Sequence, residues 1–160
     1  MVAQVNIKDN SVKIKKSLNA LAKKAPIAIK KALSNAVAFQ VDAIKTRTQT
    51  KGVDFQGRRF KPYSKKYKRR LVKQSGVVDL KDSGQMFSAL SSKVKPSKGE
   101  LFFLRQEENK KAFFHDVAGV GKNKVVRRFF RIGKKEAQSI QKIFETVLKK
   151  ELKLWAKESQ

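Results

Sequence analysis

Between Asp54 and Arg70 the chain reads DFQGRRFKPYSKKYKRR. Phe55, Phe60, Tyr63 and Tyr67 stand among Arg58, Arg59, Lys65, Lys66, Lys68, Arg69 and Arg70. Rings placed this way can stack on bases while the neighbouring cations neutralise phosphates. The same residues could instead dock on a protein, because aromatic anchors bury large areas with few torsions to freeze. A disordered basic arm is the third possibility. Over residues 45–75 there are twelve Lys and Arg against a single acid, Asp54, and Gly52 and Gly57 mark turns.

Other chemistry is sparse. His115 is the only histidine, and it follows Phe113 and Phe114. A lone histidine beside two phenylalanines is expected to be packed and hydrogen-bonded rather than a general base. The His115–Asp116 pair has no nucleophile near it in sequence, and the chain has no cysteine. A metal-dependent nuclease needs several carboxylates converging on one cation, whereas the 13 acids are scattered along the chain. No G-x-x-x-x-G-K-[ST] or G-x-G-x-x-G loop occurs. The expectation is a protein without enzymatic activity, cofactor or metal.

Charge dominates the composition. Lys and Arg number 39 against 13 Asp and Glu, a formal net charge of +26 over 160 residues. Self-repulsion on this scale opposes compaction unless an anionic partner or counter-ions offset it. The 40% hydrophobic content is nevertheless enough for a folded core. The opening residues, MVAQVNIKDNSVKIKK, lack the apolar run of a secretory signal, and no stretch of about 18 apolar residues could span a membrane. An intracellular site of action is expected.

The elements that must position the basic stretch can be read from periodicity. Leu18, Leu21, Ala25, Ile29, Leu33, Ala36, Val37, Val41 and Ile44 recur at three- and four-residue steps, as on one face of a helix. Pro26 predicts a break, giving helices near 10–24 and 26–47. This stripe is expected to face the core, with a lipid surface as the alternative. Tyr63, Tyr67 and Leu71 are spaced by four and predict a short helix capped by Ser64. Lys65 and Lys66 would then sit in its first turn, against the helix dipole, which points to a partner as the reason for them.

Val77–Leu80 predicts a short strand. Asp82 and Gln85 resemble a capping box ahead of Met86, Phe87 and Leu90. Pro96–Gly99, between two extended runs, predicts a hairpin near 91–106. Turns are expected at Gly119 and Gly121, a strand in KVVRRFFRIG, and after Gly133 a helix with the stripe Ile140, Ile143, Phe144, Val147, Leu148, Leu152 and Trp155. The fold class is α+β: N-terminal helices and a long C-terminal helix on a small, mainly antiparallel sheet. The chain reads as a single domain, 1–160, with an extended basic loop at about 45–75.

Four segments, taken in order, resemble the phage virion morphogenesis family, also described as tail-completion or head–tail joining (neck) proteins. GRRFKPYSKKYKRR is similar to the family's Gly, bulky aromatic, Pro-Leu/Tyr-Ser and basic run. VVDLKDSGQMFSAL, with Asp79, Leu80, Ser83, Gly84 and Met86, is similar to its Leu-Thr/Ser-Gly segment. KKAFFHDVAG, with His115, and VVRRFFRIGKKEAQSI, with Arg128, Phe129 and Phe130, are similar to its third and fourth. Val126 stands where the family usually has proline, and the glycine spacing after His115 differs by one or two residues.

The resemblance implies a structural subunit that joins the DNA-filled head to the tail. Its partners would be copies of itself in a ring, six-fold by the resemblance, together with portal-side connector proteins and the tail tube or terminator. Packaged DNA would be touched non-specifically, and no membrane is involved. The site would be the virion neck, with the host cytoplasm during assembly. On this reading Phe55, Gly57, Phe60, Pro62, Tyr63, Ser64 and Tyr67 form a docking loop. Arg58, Arg59, Lys65, Lys66, Lys68, Arg69, Arg70 and Arg127 meet DNA or an acidic partner. The alternative is that Phe60 and Tyr63 cover the domain's own core. At the level of function, the alternative is a basic, sequence-independent nucleic-acid-binding protein.

Overall fold

A computed structural model describes residues 11–69, 77–81 and 83–158. Arg70, Leu71 and Asp82, and with them the last cation of the basic stretch and the expected capping box, lie outside the described residues. The architecture is α+β: long helices at both ends of the chain and a small antiparallel hairpin.

Helix α1 runs Ser11–Lys45 without a break, with Pro26 inside it. The expected division into two helices is therefore corrected. The proline ring removes one amide donor and opposes the preceding carbonyls, and Ala22, Lys23 and Lys24 around that turn are exposed to water. Tertiary packing holds the helix from Ala28 onward. Ala28, Ala32, Ala36, Gln40 and Ile44, each four residues after the last, are its buried line, flanked by half-buried Ile29, Leu33, Val37 and Val41. Leu18 and Leu21, nearer the N-terminus, remain exposed. A π-helical turn, Thr46–Lys51, prolongs α1 and ends at Gly52 in the left-handed region.

The C-terminal helix α5 (Lys134–Glu158) packs along α1. Lys31 pairs with Glu151 at 2.7 Å and Gln40 with Glu136 at 3.2 Å, so the two helices run antiparallel. Every residue of the expected α5 stripe, from Ile140 to Trp155, is half-buried.

The hairpin pairs β1 (Leu90–Lys95) with β2 (Lys98–Phe103), from Leu90↔Phe103 to Lys95↔Lys98. Pro96 and Ser97 form its two-residue turn, within the expected span, and Gly99 belongs to the strand. That glycine is where the hairpin lies on α1: a Cβ there would collide with Val37 Cγ1.

Two expected strands are not strands. At Val77–Leu80 the chain is irregular, Leu80 takes a φ of 51°, and its N–H goes to the Tyr63 hydroxyl at 2.9 Å instead of a ladder. Residues 124–133 have only an isolated bridge, Val120↔Val125. Beyond it Arg127 N–H donates to His115 O at 2.7 Å and Phe130 N–H to Asp116 Oδ1 at 2.8 Å, so a helical turn and its side chain replace the missing neighbour strand. A further helix not anticipated from sequence, α4 (Gln106–Phe113), runs on through a π-helical turn, Phe114–Ala118.

One core joins these elements. Ile44, Phe60, Leu80, Met86, Phe87, Leu90, Phe103, Ala112 and Phe129 are buried together, with Tyr63 and Phe130 packed against them. Phe129 is fully enclosed and meets Phe87 edge-on at 5.5 Å between ring centroids.

Candidate functional site

The basic stretch is an ordered loop over its described part, and one carboxylate organises its start. Asp54 Oδ1 accepts the N–H groups of Gln56 and Arg58 at 2.8 and 2.9 Å, and Oδ2 accepts Arg58 Nε at 3.0 Å. Burial pushes the Asp54 carboxyl up, but these bonds outweigh it and hold it below its usual value. The reversal needs Gly57, whose φ of 82° is disfavoured for residues with a Cβ. Val53 bridges Arg59, and Phe60 N–H reaches Gly52 O at 2.9 Å.

Beyond the turn, the loop is clamped from below by Arg127. Its Nε and Nη2 donate to Lys61 O at 3.3 and 3.1 Å, Nη2 also to Pro62 O at 3.5 Å, and its guanidinium lies 5.2 Å from the Tyr63 ring centre. Tyr63 packs on Tyr67 at 4.9 Å. Burial pushes its phenol up to about 12. Ser64 caps α2 (Lys65–Lys68) as expected, its hydroxyl accepting Tyr67 N–H at 3.3 Å. The helix starts at Lys65, so Lys65 and Lys66 do occupy its first turn, exposed to solvent.

The sequence candidates thus divide. Phe60, at 7% exposure, belongs to the core, and Tyr63 is half-buried against it. Both rings are committed within the chain, as in the alternative in which they cover the core, and neither is a free anchor. Phe55 and Tyr67 are half-buried; Gly57, Pro62 and Ser64 are exposed. Arg58, Arg59, Lys65, Lys66, Lys68, Arg69 and Arg128 are exposed cations. Arg127 differs from these: it is 4% exposed, and two of its nitrogens hold the loop from inside while it lines the cleft described below.

The remaining motif residues shape the scaffold. Asp79 Oδ1 accepts Lys81 N–H at 3.1 Å, and Ser83 Oγ accepts Gln85 N–H at 3.4 Å. Gly84 caps α3 (Gln85–Ser88), while Leu80 and Met86 are buried and Phe130 is half-buried.

Two features carried no clear signal in the sequence. Arg47 is buried and joins three segments: from the π-helical turn at the end of α1 it donates to Glu136 in α5, to the carbonyl of Phe129 at 2.6 Å and to that of Arg131. Glu136 also accepts Gly133 N–H at 3.0 Å at the start of α5. Burial raises its carboxyl, but Arg47, Gly133 and Gln40 outweigh that and leave it lowered. The only available clue was that Arg47 follows Ile44 by three on the same helical face. Second, Phe113, Phe114 and Val117 fall within one helical turn and are each more than half exposed. The sequence groups the two phenylalanines but does not reveal their exposure.

His115 is packed, but its buried Nδ1 has no hydrogen-bond partner, contrary to expectation. Burial, and then the nearby Arg127 charge, push its pKa down from 6.5 to about 4. The unfolded chain therefore binds a proton more readily than the folded one, so this contribution is complete above pH 6.5 and is lost as pH falls towards 4. Chemical denaturation at about pH 7.5 and about pH 4.5 should show His115→Gln losing less stability on acidification than the parent, by on the order of 2 kcal/mol. Equal losses would remove His115 as the source.

Beside Arg127 lies a cleft of about 330 Å³, lined by Asp54, Arg58, Arg59, Phe60, Lys61, Val126, Arg127 and Arg128. Lys61 was not among the sequence candidates. Among the described residues, no three His, Asp or Glu side chains group as metal ligands, and no helix is long and apolar enough to cross a membrane. No protein-family model matches the chain, nor does any curated protein or solved structure.

Proposed function

We propose that the chain is a structural virion subunit of a tailed phage or prophage, a neck or tail-completion protein that joins the DNA-filled head to the tail. The observation that carries this reading is the convergence of the four resembling segments. Phe60, Leu80, Met86, Ala112 and Phe129, drawn from all four, share one core. Arg127 ties the fourth segment to the carbonyls of the first, Tyr63 in the first accepts from Leu80 in the second, and Asp116 in the third accepts from Phe130 in the fourth. Segments in a family's order that also form one bonded unit fit a shared scaffold better than four separate coincidences do.

An assembly role also explains the exposed Phe113, Phe114 and Val117, since a cluster of large apolar side chains outside a closed core suits a subunit contact. In a closed ring each copy offers two different patches, one to each neighbour. The connector on the head side and the tail tube or terminator would engage the two ends, with the basic loop turned to DNA or an acidic surface. A second reading, a sequence-independent nucleic-acid-binding protein, is favoured by the basic cleft. Electron microscopy of lysates from a phage lacking this gene separates the two. Filled heads and finished tails left unjoined support the neck reading; intact particles refute it.

A further inference from the structure

We infer that the cleft between the basic loop and residues 126–128 is a phosphate-binding site, that it takes a backbone phosphate of a nucleic-acid strand, and that Arg127 is its buried anchor. This holds whether or not the chain is a neck subunit. Arg127 is enclosed, yet among the described residues it forms no ion pair: its partners there are the carbonyls of Lys61 and Pro62 and the Tyr63 ring. A buried guanidinium without a counter-charge is costly, and burial accordingly depresses its pKa. Nε and Nη2 are used by the loop, whereas among the described residues Nη1 makes no hydrogen bond, and Arg127 lines the cleft. A donor that is charged, fixed in place and unfilled is what an anion requires.

The cleft supplies the rest. Arg58, Arg59, Lys61 and Arg128 surround the same space, and all four are exposed. Its one acid, Asp54, is already saturated by Gln56 and Arg58, so it does not compete for Nη1. An oxyanion entering here meets a planar fork from below and flexible cations at the rim. A chain of phosphates fits better than a lone ion, because Lys65, Lys66 and Lys68 on α2 and Arg69 at its C-cap follow, exposed and, among the described residues, without an acid partner. Arg127 and Phe60 place the site on the rigid core, so the anion would dock without the loop having to fold around it.

The test compares two triple variants of equal charge loss. Arg59→Gln/Lys61→Gln/Arg128→Gln alters the cleft through exposed side chains, and Lys149→Gln/Lys150→Gln/Lys153→Gln alters the exposed face of α5. Binding of a labelled duplex oligonucleotide is followed by fluorescence anisotropy at fixed salt. The cleft variant should lose affinity roughly tenfold and show a shallower salt dependence, with the α5 variant changing less than about threefold. Equal losses would overturn the proposal and leave net charge as the cause. Inorganic phosphate and poly-glutamate serve as alternative occupants. Cleft-dependent binding of phosphate without duplex binding, or of poly-glutamate more tightly than duplex, would overturn the nucleic-acid occupant. Arg127→Lys keeps the charge but loses the fork, so while remaining folded it should bind duplex more weakly than the parent; parental affinity in that variant would remove Arg127 as the anchor.

Discussion

Replacing Arg47 by alanine is expected to cost roughly 3–5 kcal/mol, because it removes the buried cation of a largely enclosed pair and leaves the Glu136 charge with only Gly133 and Gln40 as donors. Three acceptors lose their donor together: the Glu136 carboxylate and the carbonyls of Phe129 and Arg131. The damage falls on the junction of α1, the 126–133 segment and the first turn of α5. For a domain of ordinary stability, about 5–15 kcal/mol, this is a large share. Urea denaturation should show it as a lower midpoint. The double variant Arg47→Met/Glu136→Leu should lose less than the sum of its two single replacements, since removing both charges avoids stranding either. Strict additivity would mean that the two side chains stabilise the fold separately.

The second large effect is expected at Phe60. Truncation to alanine empties a site at the centre of the core and should cost roughly 3–5 kcal/mol. Tyr63→Phe keeps the ring and removes only the acceptor of Leu80 N–H, so about 1–2 kcal/mol is expected. Thermal melting of the purified variants distinguishes the two roles weighed for these rings. A Phe60→Ala protein that melts like the parent would return Phe60 to the surface and restore it as a docking anchor. A strongly destabilised one confirms it as core and leaves docking to other residues of the loop.

How legible each part was depends on whether local chemistry or distant packing decided it. The hairpin was readable because Pro96 and Ser97 sit between two extended runs, and turn chemistry acts within a few residues. Helix α5 and the Ser64 cap were readable for the same reason: a 3.6-residue stripe and a hydroxyl at a helix start are local signals. Pro26 misled because its local cost is outweighed by the packed line that begins at Ala28. Helix α4 was hidden because its buried face is Glu108 and Ala112, continued by Asp116 in the π-helical turn, with no apolar stripe to detect.

Residues 125–130 are the most instructive. Their alternation is real, with Val126 and Arg128 exposed and Arg127 and Phe129 buried. The sequence could indicate an extended chain but not that its partner would be a helical turn rather than a strand. Charge was equally ambiguous at the candidate site. Arg58, Arg59 and Arg127 look alike in sequence, yet only the third is enclosed, because only it finds two carbonyls and an aromatic ring beneath the loop. The cleft needs both Lys61 and Arg128, which are far apart in the chain, so no reading of adjacent residues could assemble it.

The central claim, a subunit that joins head to tail, is tested most directly by complementing the gene deletion with a Phe113→Ser/Phe114→Ser variant and counting joined particles by electron microscopy. Both side chains are more than half exposed, so the variant should melt close to the parent. The account predicts that the parental gene restores complete particles, while the variant, present and folded, leaves filled heads beside separate tails. Complete particles in the deletion strain before any complementation would contradict it.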